Sequence, residues 1–99
     1  VLFMFISIVQ FPEIKEGQDE AFKDWFKWSN SEFRKFSGFI RRSLLEPENG
    51  GTYVAIVEME TKEAFLAMHS SPIHAEAGKK VASLFQGNPK PTFYKIIIP

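Results

Sequence analysis

Cysteine is absent from the 99-residue chain. That removes disulfides, thiolate metal sites and thiol nucleophiles. Net charge is absent too: twelve lysines and arginines balance twelve aspartates and glutamates. A nucleic-acid binder usually carries a basic surface, so no nucleic-acid partner is expected. The longest apolar run, "VLFMFISIV" at residues 1–9, is far too short to span a bilayer. It also lacks a basic leader and a cleavage pattern. It reads as a buried strand, no membrane partner is expected, and the expected location is cytoplasmic. There is no glycine-rich phosphate loop, nucleophile elbow, paired-carboxylate motif or dinucleotide fingerprint. Histidine is scarce: both copies lie in "HSSPIH", residues 69–74.

Aromatic residues, by contrast, are abundant. Eleven phenylalanines in a chain this short either make a dense core or line a cavity. The length fits one domain spanning 1–99. Phe3 to Val9 is rich in β-branched and aromatic residues and reads as the first strand, ended by Pro12. From about Gln18 the period becomes helical. Phe22, Phe26, Ser29, Phe33 and Phe36 share a face, with Trp25 and Trp28 beside it, up to a stop near Gly38. Phe39 to Leu45 is a second strand, "EPENGG" a hairpin turn, and Tyr53 to Met59 a third strand. Thr61 is an expected N-cap for a short helix with Phe65 and Met68 inward. Ser71-Pro72 restarts the helix, which runs to about Phe85. Thr92 to Ile98 completes the strands.

The order β-α-β-β-α-β predicts a ferredoxin-like α+β fold: a four-stranded antiparallel sheet with the helices on one face. Such a sheet has a second face, and its strands should alternate apolar and polar. They do not. Met4, Ile6 and Ile8 point away from Phe3 and Phe5; Tyr94, Ile96 and Ile98 point away from Phe93 and Ile97. An apolar face of this size is unusual on a monomer. A second copy of the sheet is the expected cover, giving a homodimer; a membrane surface or another partner is the alternative.

These stretches resemble the antibiotic biosynthesis monooxygenase family of dimeric α+β barrels. The resemblance runs from about Met4 to Ile97. It rests on "MFISIV", "SGFIRRSLLEPENGG", "YVAIVEMETKEAF" and "SSPIHAEAGKK", with Glu60-Thr61, Phe65 and Ser71-Pro72 matching the family pattern after the third strand. It implies small homodimers with a pocket between sheet and helices. Some members oxygenate polycyclic phenols or quinols with dioxygen and no metal or organic cofactor; others degrade haem. The positions where the haem-degrading branch has Asn, Trp and His hold Val9, Met68 and Gly78, and the frequent Trp at the end of the third strand is Met59. Haem degradation by that route is not expected.

His69 and His74 are five residues apart across a proline, whereas a helical metal pair wants a spacing of four. No metal site is expected. His69 reads as a solvated residue at a helix end. His74, near a helix start, is the expected catalytic base: a titratable side chain near neutral pH, kept neutral by the helix dipole. Trp25, Trp28, Met59, Phe65 and Met68 are the expected substrate-binding wall for a small apolar or aromatic ligand. Tyr53 and Tyr94 are weaker candidates for bonding a phenolic group. Arg41 and Arg42 face opposite sides of their strand; one could enter a pocket and pair with an anionic ligand, but both read as solvated edge charges. The expected function is cofactor-independent monooxygenation of a small aromatic or quinol-type substrate. The alternative is a non-catalytic dimer that binds a small ligand.

Overall fold

The structure, a computed structural model, describes residues 4–99. Phe3, placed above in the first strand, lies outside the described residues. The strands are β1 (Phe5–Gln10), β2 (Phe39–Leu45), β3 (Val54–Met59) and β4 (Lys90–Lys95). The helices are α1 (Asp19–Phe33), α2 (Lys62–His69) and α3 (Pro72–Val81), the last followed by a 3-10 turn at Ala82–Leu84. The sheet order is β2-β3-β1-β4, and every neighbouring pair is antiparallel. This is the ferredoxin-like arrangement expected from the sequence.

Phe22, Phe26, Ser29 and Phe33 recur at steps of four, three and four and form the buried stripe of α1. Asp19 and Glu20 occupy its first turn, where the helix dipole favours negative charge. The helix ends at Phe33 rather than near Gly38, and Phe36 closes a turn onto the Phe33 carbonyl at 3.1 Å. Gly38 follows at φ +82°, and a Cβ there would stand 2.6 Å from the Ala64 Cβ. That contact lets the start of β2 lie directly against α2. The Thr61 hydroxyl caps α2 by accepting from the Ala64 amide at 3.0 Å. The Ser71 hydroxyl caps α3, accepting from the His74 amide at 3.2 Å. Pro72 takes the first helical position, where no amide hydrogen is needed.

β4 starts at Lys90 and ends at Lys95, two to three residues earlier than expected. Pro91 reads as a loop residue in the sequence, but on an edge strand a missing amide costs no ladder bond. The last isoleucines therefore lie past the strand, and Ile98 is 83% exposed.

The face toward the helices carries Ser7, Ala55, Val57 and Met59, all buried. The side chains above it fall into two groups. Phe11, Phe22, Phe26, Ala55, Val81 and Phe85 pack at one end. Phe33, Val57, Met59, Phe65, Met68 and Ala77 pack toward the α2–α3 joint. On the outer face, cross-strand register places Ile6 opposite Tyr94 and Ile8 opposite Ile56. No helix among the described residues is long and apolar enough to cross a membrane.

Candidate functional site

Between the sheet and the helices lies a cavity of about 260 Å³. Its floor is Ser7, Val9, Ala55 and Val57 of the two central strands, and Trp25, Phe33, Phe65, Met68 and Ala77 form its walls. The exposed residues His69, Gly78, Pro91 and Phe93 stand at its rim, between α3 and the β4 edge. The two histidines of "HSSPIH" both border it. The restart at Ser71-Pro72 turns the chain so that their ring centroids are 4.3 Å apart. His69 stacks on Phe65 at 5.3 Å, and His74 on Phe33 at 5.4 Å.

His74 is half-buried. Burial, then the neighbouring His69 and the Arg42 charge, lower its pKa from the ordinary 6.5 to about 4. It is therefore neutral at physiological pH, with a lone pair free to accept a proton, and is a weaker base than an ordinary imidazole. The helix N-terminus, invoked above for the neutral form, acts in the same direction, but desolvation is the larger cause.

Trp25 is held by a hydrogen bond from its indole nitrogen to the Ala77 carbonyl at 2.9 Å. Its polar atom is thus occupied, and the ring presents an apolar wall. Of the other side chains assigned above to the wall, Phe65 and Met68 border the cavity, whereas Trp28 and Met59 do not. Trp28 lies between the lining residues Trp25 and Phe33 on α1 but does not border the cavity; it packs against the cluster at the α2–α3 joint, with the Lys80 ammonium 5.2 Å from its ring. Met59 is fully buried at the end of β3, paired across the sheet with Phe5 and Phe39. It is core. Tyr53 stacks on Phe22 at the other end of the interior and donates to Asp19 at 2.5 Å. Tyr94 is on the outer face of the edge strand, half exposed.

Arg42 is the residue the sequence undervalued. A register shift between Phe39 and Arg41 sets the phase of β2, sending Arg41 outward to pair with Glu58 and Arg42 inward. The Arg42 guanidinium lies 4.0 Å from the Phe26 ring centroid and 5.0 Å from that of Phe33. One of its nitrogens donates to Ser29 Oγ at 2.7 Å and Asn30 Oδ1 at 2.8 Å. Ser29, a polar break in an otherwise aromatic stripe, was the available signal.

Among the described residues, no group of three or more His, Asp or Glu side chains could hold a metal ion. Val9, Met68 and Gly78, which stand where haem-degrading relatives are expected to have Asn, Trp and His, all border the cavity.

The sequence profile of the antibiotic biosynthesis monooxygenase family matches residues 4–80. The chain belongs to this family. The profile covers every element through α3 but for its last residue, and stops before the 3-10 turn and the last strand. Solved structures show the same fold over nearly the whole chain. A Nitrosomonas europaea protein bearing the family's name is 21% identical, with a TM-score of 0.84 over 97% of this chain and 92% of its own. SnoaB from Streptomyces nogalater, a cofactor-independent oxygenase, is 17% identical, with a TM-score of 0.76 over 99% of this chain and 95% of its own. Rv0793 from Mycobacterium tuberculosis is 15% identical, with a TM-score of 0.79 over 98% of this chain and 97% of its own. A comparison with curated proteins returned no match.

Proposed function

We propose that this protein is a cofactor-independent monooxygenase acting on a small aromatic or quinol-type substrate. The observation that carries the proposal is His74: a neutral imidazole bordering an apolar cavity large enough for a small fused-ring molecule. Membership of the family and the likeness to SnoaB support it.

His74 takes a proton from an acidic ring carbon or hydroxyl, leaving an electron-rich anion. The anion reduces dioxygen and a carbon–oxygen bond forms. At a ring CH2 the hydroperoxide then loses water. One oxygen atom ends as the ring carbonyl, the other leaves as water, and the substrate supplies all the electrons. The apolar walls exclude bulk water and hold the ring in place.

The outer sheet face supports a homodimer. Ile6, Ile8 and Ile56 form an apolar strip there, and Tyr94 and Leu45 remain 52% and 41% exposed at its margins. A second sheet laid across this face would bury it.

Oxygen uptake tests the function. Chelator-treated protein is offered a panel of naphthalene diols, anthrones and hydroquinones, and product is assayed for label from isotopic dioxygen. Turnover that falls about 100-fold or more in His74→Ala supports the proposal. Saturable binding of the panel with no oxygen consumed makes the protein a binding module instead.

A further inference from the structure

Arg42 brings a positive charge to the cavity, and no aspartate or glutamate is among the lining residues. Its sequence neighbour Arg41 has Glu58; Arg42 has no ion pair among the described residues. Burial lowers its pKa to about 9, so it remains charged at neutral pH. Ser29 and Asn30 accept from one guanidinium nitrogen, and Asn30 Nδ2 donates back to the Arg42 carbonyl at 3.2 Å. Both ends of the residue are held in place by neutral groups. A guanidinium has five donors in a rigid fork, matched to planar oxyanions. A partly buried charge without a counter-charge is costly to keep, and a ligand of opposite sign would offset that cost.

We propose that the cavity binds its ligand as a flat aromatic anion, with a phenolate or carboxylate oxygen on Arg42 and the ring against Trp25 and Phe33. This rests on the cavity being the ligand site, as proposed above, but not on catalysis. Arg42 selects the charge of the ligand; His74 remains the base. The rings beneath the guanidinium disperse part of its charge and shape a slot for a planar group. The same pairing favours the ionised form of a phenolic substrate, the form that reacts with dioxygen.

The test is equilibrium binding without oxygen, so it stands whether or not the protein turns over. Two fluorescent probes of similar shape are compared: anilinonaphthalene sulfonate, an anion, and N-phenylnaphthylamine, which is neutral. Wild type is expected to hold the anion about tenfold tighter or more. Arg42→Met should erase that preference and leave the neutral probe within about threefold, while Arg42→Lys should keep part of the preference. Competition with naphthoate and with dinitrophenolate separates a carboxylate ligand from a phenolate one. Equal affinity of wild type for both probes overturns the proposal. So does an anion preference that survives in Arg42→Met, or a failure of both competitors to displace the sulfonate. If circular dichroism shows Arg42→Met unfolded, the wild-type preference, its partial retention in Arg42→Lys and the competition decide on the same terms.

Discussion

The two ends of the helix–sheet interior are built from similar residues and do different work. At one end, Phe11 meets Phe22 edge-on at 5.0 Å, Phe22 stacks on Tyr53 at 5.4 Å, and Phe85 completes the set. The bridge from Ile14 to Phe85 closes that end. Under the α2–α3 joint, Phe33, Phe65 and Met68 instead stand around open volume, and two histidines and an arginine share the wall. Aromatic surplus alone does not separate core from pocket. What separates them is where the polar groups point: Tyr53 at the packed end gives its hydroxyl to the part-exposed Asp19, whereas His74 and Arg42 border the cavity.

The largest expected difference between the two ends is in stability. Phe22→Ala should cost about 3–5 kcal/mol in denaturant unfolding, because a fully buried ring leaves a void that its neighbours fill only in part. His74→Leu at the hollow end should cost far less. An equal loss at both would mean that the cavity side chains are simply core.

Acidity sharpens the same contrast. The folded-state pKa of His74, about 4, is below its ordinary value of 6.5. The unfolded chain therefore binds more protons between those values. Stability from this group is complete above pH 6.5 and is lost as pH falls toward 4. Partial exposure screens the effect to about 1–2 kcal/mol. Wild type should lose about half of that relative to His74→Leu between pH 7 and pH 5 in paired thermal or urea melts.

Two smaller changes probe the walls. Trp25→Phe removes the bond to the Ala77 carbonyl and should cost about 1 kcal/mol, with looser ligand binding in the fluorescence assay. Gly78→Ala should stabilise α3 by up to about 1 kcal/mol, since a Cβ there meets nothing within 4 Å. The added methyl narrows the cavity mouth, so binding should slow while the melting temperature rises. An unchanged association rate would place the entrance elsewhere.

The element order was legible because local signals fixed it. The phenylalanine stripe announced α1, and Thr61 and Ser71-Pro72 announced the helix starts; Gly38 was read only as a helix stop, and its close approach to Ala64 of α2 came from the structure. Trp25, Phe65, Met68 and His74 were legible as a set through the resemblance and the polar helix start. Trp28 and Met59 were not separable from them. Three residues along a helix, or one step along a strand, decide which volume a side chain reaches, and only packing fixes that phase. Arg42 was hidden for the same reason. Two adjacent arginines must face opposite ways, but a shift in the register of β2 chooses which one enters. The early start of β4 was masked by Pro91, which composition assigns to a loop and an edge strand tolerates.

The most direct test of the hollow end is a nitrogen-15 histidine titration by NMR, with and without a naphthalene diol. If the cavity is a ligand site with His74 as its base, His74 stays neutral down to about pH 5, with a midpoint near 4. Its ring resonances should also move when the diol is added. A midpoint at 6.5, with no response to the ligand, would make His74 a solvated helix-start residue and contradict the account.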